Sequence, residues 1–347
     1  MPQSTPFTDS DADRLQEALD ALVASGGSPG GVVVFGTRDG GHRILTAGLV
    51  APECGDTRPD QDTLYDIASL TKVVATWPLV GRALDQGLLD LDAPIRDFLP
   101  AIHAEAPSGE ATVCQLLAHT SGLRASTRLD QYRGAGAPLH ELMCREPLDE
   151  QPGQHRYINR GYILLGLALS HVHNQSLYAL ADQLWSGIGM TSTVYGPVAR
   201  AAQVAPTEQR IPGTPRTWGA PHDDNAALLG GIAGHAGVFS TPADLATYAE
   251  HLLTAHADSD NTPIGQWLRA SQVPQAAIEP GLDRGLSWIL ADGTRTAYHH
   301  GFTGTSLYLN PENGRYLALC TNAIYHGPAR ERLAPLRTLA LKTTSSN

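Results

Sequence analysis

Two hairpin signals lie near opposite ends of the chain, and together they restrict the fold more than anything between them. Residues 30 to 50, GGVVVFGTRDGGHRILTAGLV, place two apolar runs on either side of Asp39-Gly40-Gly41. Glycine accepts the positive φ angles that a tight hairpin turn needs. Residues 305 to 324, TSLYLNPENGRYLALCTNAI, repeat that plan with Pro311 to Gly314 as the turn. Outside each hairpin the spacing predicts a helix, RLQEALDALVA before the first and PARERLAPLRTLALK after the second, the latter expected to break at Pro335. Between the ends, roughly residues 76 to 285, the patterns are mostly helical, with Pro- and Gly-rich connections such as PGTPRTWGAPHDDN. Strands at both termini and helices between them predict one α+β unit, a single sheet built from the two chain ends with a helical region inserted. The expected division is a sheet sub-domain of residues 1–75 plus 286–347 and a mainly helical sub-domain of 76–285, with the cleft between them.

The 347 residues carry a net charge of -11 and no local run of basic side chains, which disfavours nucleic acid and anionic membrane surfaces. The start, MPQSTPFTDSDADR, is polar and acidic where a secretory leader has a basic start and an apolar run, so a cytoplasmic location is expected. Cys54, Cys114, Cys144 and Cys320 are far apart and form no CxxC pair; reduced thiols are expected, without a structural metal or redox pair.

Of 24 basic residues only Lys72 and Lys342 are lysines, and Lys72 sits inside the apolar stretch IASLTKVVAT. In a helix starting near Ser69, residues 69 and 72 share one face, one turn apart. A serine hydroxyl is a weak nucleophile that needs a base beside it. A lysine can be that base when burial and neighbouring cations disfavour its charged form, whereas an arginine stays protonated. The plainer alternative is an N-cap serine followed by a snorkelling lysine.

Two further stretches fit such chemistry. Tyr157-Ile158-Asn159 precedes an apolar helix, and a tyrosine beside a lysine can pass a proton to a leaving atom; capping of the loop by Asn159 is the alternative. Tyr308-Leu309-Asn310 repeats the spacing but belongs to a strand and its turn. In TAYHHGFTGTSLYLN, Gly301 and Gly304 leave room for close backbone approach, so an amide of that strand could join the Ser69 amide as an oxyanion hole. His299 and His300 point to opposite faces of a strand, so only one faces the site.

S-L-T-K at 69–72, Y-I-N at 157–159 and H-H-G at 299–301, in this order, resemble the serine β-lactamase and penicillin-binding-protein superfamily, closest to its class C β-lactamase, DD-peptidase and esterase branch. DTLYDIASLTKVV, LLDLDAPI, LLAHTSGL and GFTGTSLYLNP extend the likeness over most of residues 25 to 325. The resemblance implies an antiparallel sheet flanked by terminal helices plus a helical domain. It implies Ser69 as nucleophile, Lys72 as general base, Tyr157 as proton-transfer partner and Asn159 as ligand of substrate and of Lys72. The amides of Ser69 and Phe302 would form the oxyanion hole, and His299 and Gly301 would border the substrate. No cofactor or metal is implied, only a small acyl donor with water or another nucleophile as acceptor. Where β-lactamases and DD-peptidases usually carry Lys-Thr-Gly, this chain has His299-His300-Gly301, closer to the esterases, amidases, D-aminopeptidases and acyltransferases of the superfamily.

LLGGIAGHAGVFST lacks the G-K-[ST] of a phosphate loop and reads as a close-packed turn leading into a helix start at Ser240-Thr241-Pro242. His222, Asp223 and Asp224 either line the cleft rim or cap a turn, the turn being favoured; His171 and His173 diverge on a helix and make poor metal ligands. The leading expectation is a serine hydrolase or acyltransferase acting on an ester or amide. Transfer to an amine or alcohol in secondary-metabolite assembly, β-lactam or D-Ala-D-Ala hydrolysis, and a non-catalytic sensor are the alternatives.

Overall fold

The computed structural model describes residues 4 to 346 except 103–104, 259–260 and 328–329. Both predicted hairpins are present. Strands β1 (Gly30–Thr37) and β2 (His42–Gly48) flank the glycine turn. Tyr65–Asp66, Val194–Tyr195 and Val238–Ser240 (β3, β4 and β5) form a small separate sheet in the order β3-β5-β4. Further on come β6 (Ala276–Glu279), β7 (Leu282–Arg284), β8 (Ile289–Ala291) and β9 (Thr296–His300), followed by the second hairpin, β10 (Ser306–Asn310) and β11 (Arg315–Thr321). The main sheet has eight antiparallel strands in the order β2-β1-β11-β10-β9-β8-β7-β6.

The chain ends meet where β1 pairs with β11, Gly31 opposite Thr321 and Thr37 opposite Arg315. Side-chain alternation then sorts the core into two layers. Val33, Phe35, Leu317 and Leu319 pack with Leu15, Leu19, Leu22 and Leu336 of the terminal helices. Val32, Val34, Ala318 and Cys320 face the other way, into the core shared with the inserted helices. The first helix, Asp9–Ala24, starts with a reciprocal cap: Thr8 Oγ1 accepts the Asp11 N–H at 3.1 Å, and the Asp11 carboxylate accepts the Thr8 N–H at 3.0 Å.

Two local expectations are corrected. The sheet takes in β6 and β7, residues within the segment read as helical; they are short, and neither shows a sustained alternation. Pro335 does not interrupt the last helix but lies in the first turn of Ala334–Ser345, where its missing N–H needs no partner. All four cysteines are free. Among the described residues no helix is long and apolar enough to cross a membrane.

Candidate active site

The segment after β3 winds differently from the plain helix the sequence predicts. Ala68–Leu70 is a 3-10 turn, and Lys72–Thr76 is a turn of π-helix closed by the Trp77 N–H to the Lys72 carbonyl; only then does the α-helix Trp77–Asp85 begin. In a 3-10 turn side chains three apart eclipse each other. Lys72 Nζ accordingly lies 3.1 Å from Ser69 Oγ. Lys72 is fully buried; its Nζ also donates to the His235 carbonyl at 3.0 Å and lies 5.0 and 5.5 Å from the ring centres of Tyr157 and Tyr162. No carboxylate among the described residues forms an ion pair with it. Such a setting differs from that of a snorkelling surface lysine, whose ammonium reaches water.

Ala68, just before the serine, has φ +46°, a left-handed conformation that costs a non-glycine residue about 1–2 kcal/mol. Asp66 holds the turn. Its Oδ1 accepts the Ala68 N–H at 2.8 Å and its Oδ2 the His222 N–H at 2.7 Å. Burial pushes the Asp66 carboxyl up from its ordinary range, although both amides favour its charged form. Nothing in the sequence around Asp66 distinguishes it from a turn residue.

Tyr157 stands ahead of the helix Arg160–Val172 with its ring 42% exposed. Its loop is tied down by a residue the sequence reading did not single out. His119 Nδ1 accepts the Ile158 N–H at 3.2 Å, and the His119 ring packs 4.5 Å from the Tyr157 ring, centre to centre. Burial first, then Arg284 and Lys72, hold His119 well below the ordinary histidine range. Asn159 makes no capping bond, and its Oδ1 is buried without a hydrogen-bond partner, so the expected bond to Lys72 is not formed. The His235 carbonyl takes that lysine donor instead.

Strand β9 closes the site from the other side. A Cβ on Gly301 would come within 2.0 Å of Thr305 Oγ1 and 2.5 Å of the Ile67 carbonyl, so only glycine lets this strand run against the serine segment. Thr303 Oγ1 donates to the Asp66 carbonyl at 2.6 Å, and Thr305 Oγ1 to the Ile67 carbonyl at 3.1 Å, lacing the two together. Ser69, Tyr157, His299, Gly301 and Phe302 border one pocket of about 200 Å³, which Arg284, Ile289 and His300 complete. The His299 ring lies 6.2 Å from that of Tyr157; the His300 ring instead packs against Tyr298 at 5.0 Å and meets Ser306 Oγ. Two larger grooves, about 560 and 660 Å³, contain none of Ser69, Lys72, Tyr157 or His299.

Arg284, also not anticipated, dominates the electrostatics. It is buried at the end of β7, and with burial it keeps His299 far below the ordinary histidine range and His155 at about 4. His299 is thereby neutral, not a switchable cation. Asp223 caps the helix Asp224–Leu228 through the Ala226 N–H, as the turn reading expects, and its Oδ1 also meets His235 Nε2 at 2.7 Å. His222 stacks on Phe302 with ring centres 5.2 Å apart. No group of three or more metal-ligating side chains occurs among the described residues.

The sequence matches the Beta-lactamase family over residues 15–342. A putative D-alanyl-D-alanine carboxypeptidase of Escherichia coli strain K12 is 29% identical over 304 residues, covering 75% of this chain and 69% of the relative. A class C β-lactamase structure from Rhodobacter sphaeroides superposes with a TM-score of 0.74 at 20% identity, covering 94% of this chain and 99% of that one. EstCE1, described as a hydrolase with promiscuous acyltransferase activity, has a TM-score of 0.73 at 17% identity, with 96% and 98% covered.

Proposed function

The chain belongs to the Beta-lactamase family and is a serine hydrolase, and from that premise we propose that Ser69 forms an acyl-enzyme from an ester or amide donor and releases the acyl group to water. The observation that carries this reading is the buried Lys72 Nζ, 3.1 Å from Ser69 Oγ at the edge of the pocket. In its neutral form the Lys72 amine takes the hydroxyl proton as Oγ attacks the acyl carbon. The amides of Ser69 and Phe302 receive the negative charge that develops on the carbonyl oxygen. Tyr157 hands a proton to the leaving oxygen or nitrogen, and the acyl–Oγ ester remains. Water then attacks that ester, with the same groups working in reverse.

The name of the Escherichia coli relative puts peptidase action among the hydrolytic options. A neutral His299 where a lysine would stand weakens the case for β-lactam or D-Ala-D-Ala donors. The second reading, transfer to an amine or alcohol, draws on the exposed rings of Tyr157 and Phe302, 42% and 40% accessible beside the pocket, which offer an organic acceptor an apolar surface. Product analysis with a p-nitrophenyl ester and a panel of amines and alcohols separates the two. Free acid as sole product supports hydrolysis. Ester or amide formed in proportion to one acceptor supports transfer, and turnover that persists in Ser69→Ala overturns both.

A further inference from the structure

Arg284 is an unbalanced cation inside the protein. It is 3% exposed, and no carboxylate among the described residues lies within ion-pairing distance. Its Nε meets His155 Nε2 at 3.2 Å and its Nη1 donates to the Ser287 carbonyl at 3.0 Å, both neutral acceptors. Nη2, with two N–H groups, bonds to no described residue, and the guanidinium borders the Ser69 pocket. A buried charge without a partner is costly, and an arginine does not escape the cost by losing its proton.

The surroundings add no negative charge. The Tyr157 ring centre lies 5.9 Å from Arg284 Cζ, and Lys72 is the nearest other cation of the site. Burial and the Arg284 charge keep His155 and His299 neutral. A pocket of about 200 Å³ carrying a fixed positive charge, with no acid to balance it, fits a small anionic group on a ligand. The planar guanidinium edge is matched by a planar carboxylate, which it can hold with charge-assisted hydrogen bonds.

We propose that Arg284 is the specificity-determining residue of this site and that it selects acyl donors bearing a carboxylate. The proposal rests on Ser69 being the nucleophile. It assigns anion recognition to β7, across the pocket from the His299-bearing strand β9. Its test uses two matched pairs of donors: p-nitrophenyl monosuccinate against p-nitrophenyl butyrate, which puts the charge on the acyl side, and 3-carboxyphenyl butyrate against phenyl butyrate, which puts it on the leaving side.

In the wild type kcat/KM favours the charged member of at least one pair. In Arg284→Gln that ratio falls by about 30-fold, the size expected for losing a charge-assisted hydrogen bond, while Arg284→Lys keeps part of it. Labelling of Ser69 by a neutral phosphonate in each variant reports an intact site. Equal wild-type kcat/KM within both pairs, or a preference that survives in a phosphonate-reactive Arg284→Gln, overturns the proposal. If Arg284→Gln does not fold, the wild-type ratio and the Arg284→Lys ratio decide in the same way. Acylation of Ser69→Ala by the neutral donors is a separate outcome: it would remove the nucleophile assignment on which the proposal stands.

Discussion

Adding one methyl group at Gly301 tests how the two halves of the site are held together. The new Cβ would sit 2.5 Å from the Ile67 carbonyl, and ordinary contact begins near 3.4 Å, so strand and serine segment must part by about 0.9 Å. The nearer neighbour, Thr305 Oγ1 at 2.0 Å, can rotate away only by giving up its 3.1 Å bond to the same carbonyl. Overpacking of this kind costs about 1–3 kcal/mol, and the lost hydrogen bond about 1 kcal/mol more. Catalysis should suffer disproportionately, because the displaced strand carries Phe302, and misplacing a group by about 1 Å costs on the order of 100-fold in rate. The assay is kcat/KM for a p-nitrophenyl ester beside a thermal melt, in Gly301→Ala and in Gly301→Ala/Thr305→Ala. The double variant regains part of the stability but little of the rate, since the clash with Ile67 persists. A folded Gly301→Ala with wild-type turnover would refute the idea that close approach of β9 builds the site.

Lys72→Arg preserves the charge and removes the base: acylation measured by burst kinetics falls by about 1000-fold or more, and a change under tenfold would exclude proton transfer to Lys72. Acid should weaken the fold through its buried histidines. Because the folded-state values of His119, His155 and His299 are depressed, the unfolded chain binds protons that the folded one refuses, so stability is full above about pH 6.5 and declines toward pH 4. Urea midpoints across that window should drop with pH, and His299→Gln should flatten the decline; an unchanged slope in the variant contradicts the assigned neutrality of His299. The Arg284 variants report on donor charge as set out above.

What the sequence made legible was local. The hairpins around Asp39-Gly40-Gly41 and Pro311–Gly314 announce themselves through turn residues flanked by alternating apolar runs, and their pairing follows from the need to bury both faces of the sheet. Ser69 and Lys72 are three residues apart, so any helical turn makes them neighbours. What stayed hidden depends on contacts between distant segments. Asp66 acts through the amides of Ala68 and His222, 156 positions apart in the latter case. His119 reaches the Tyr157 loop across 39 positions. Arg284 lies on a three-residue strand whose pattern resembles a loop. The 3-10 and π turns around Ser69 likewise have no signature in side-chain spacing, since tertiary ties from Asp66 and His235 shape them.

The central claim is that Ser69 is the nucleophile and Lys72 its base, and intact-protein mass spectrometry after mixing with a p-nitrophenyl acyl ester tests it most directly. One acyl group should appear on the wild type, mapping to the peptide that contains Ser69 and disappearing as the ester is consumed; Ser69→Ala should gain none, and Lys72→Met only slowly. An adduct that forms and turns over equally in Ser69→Ala would contradict the account.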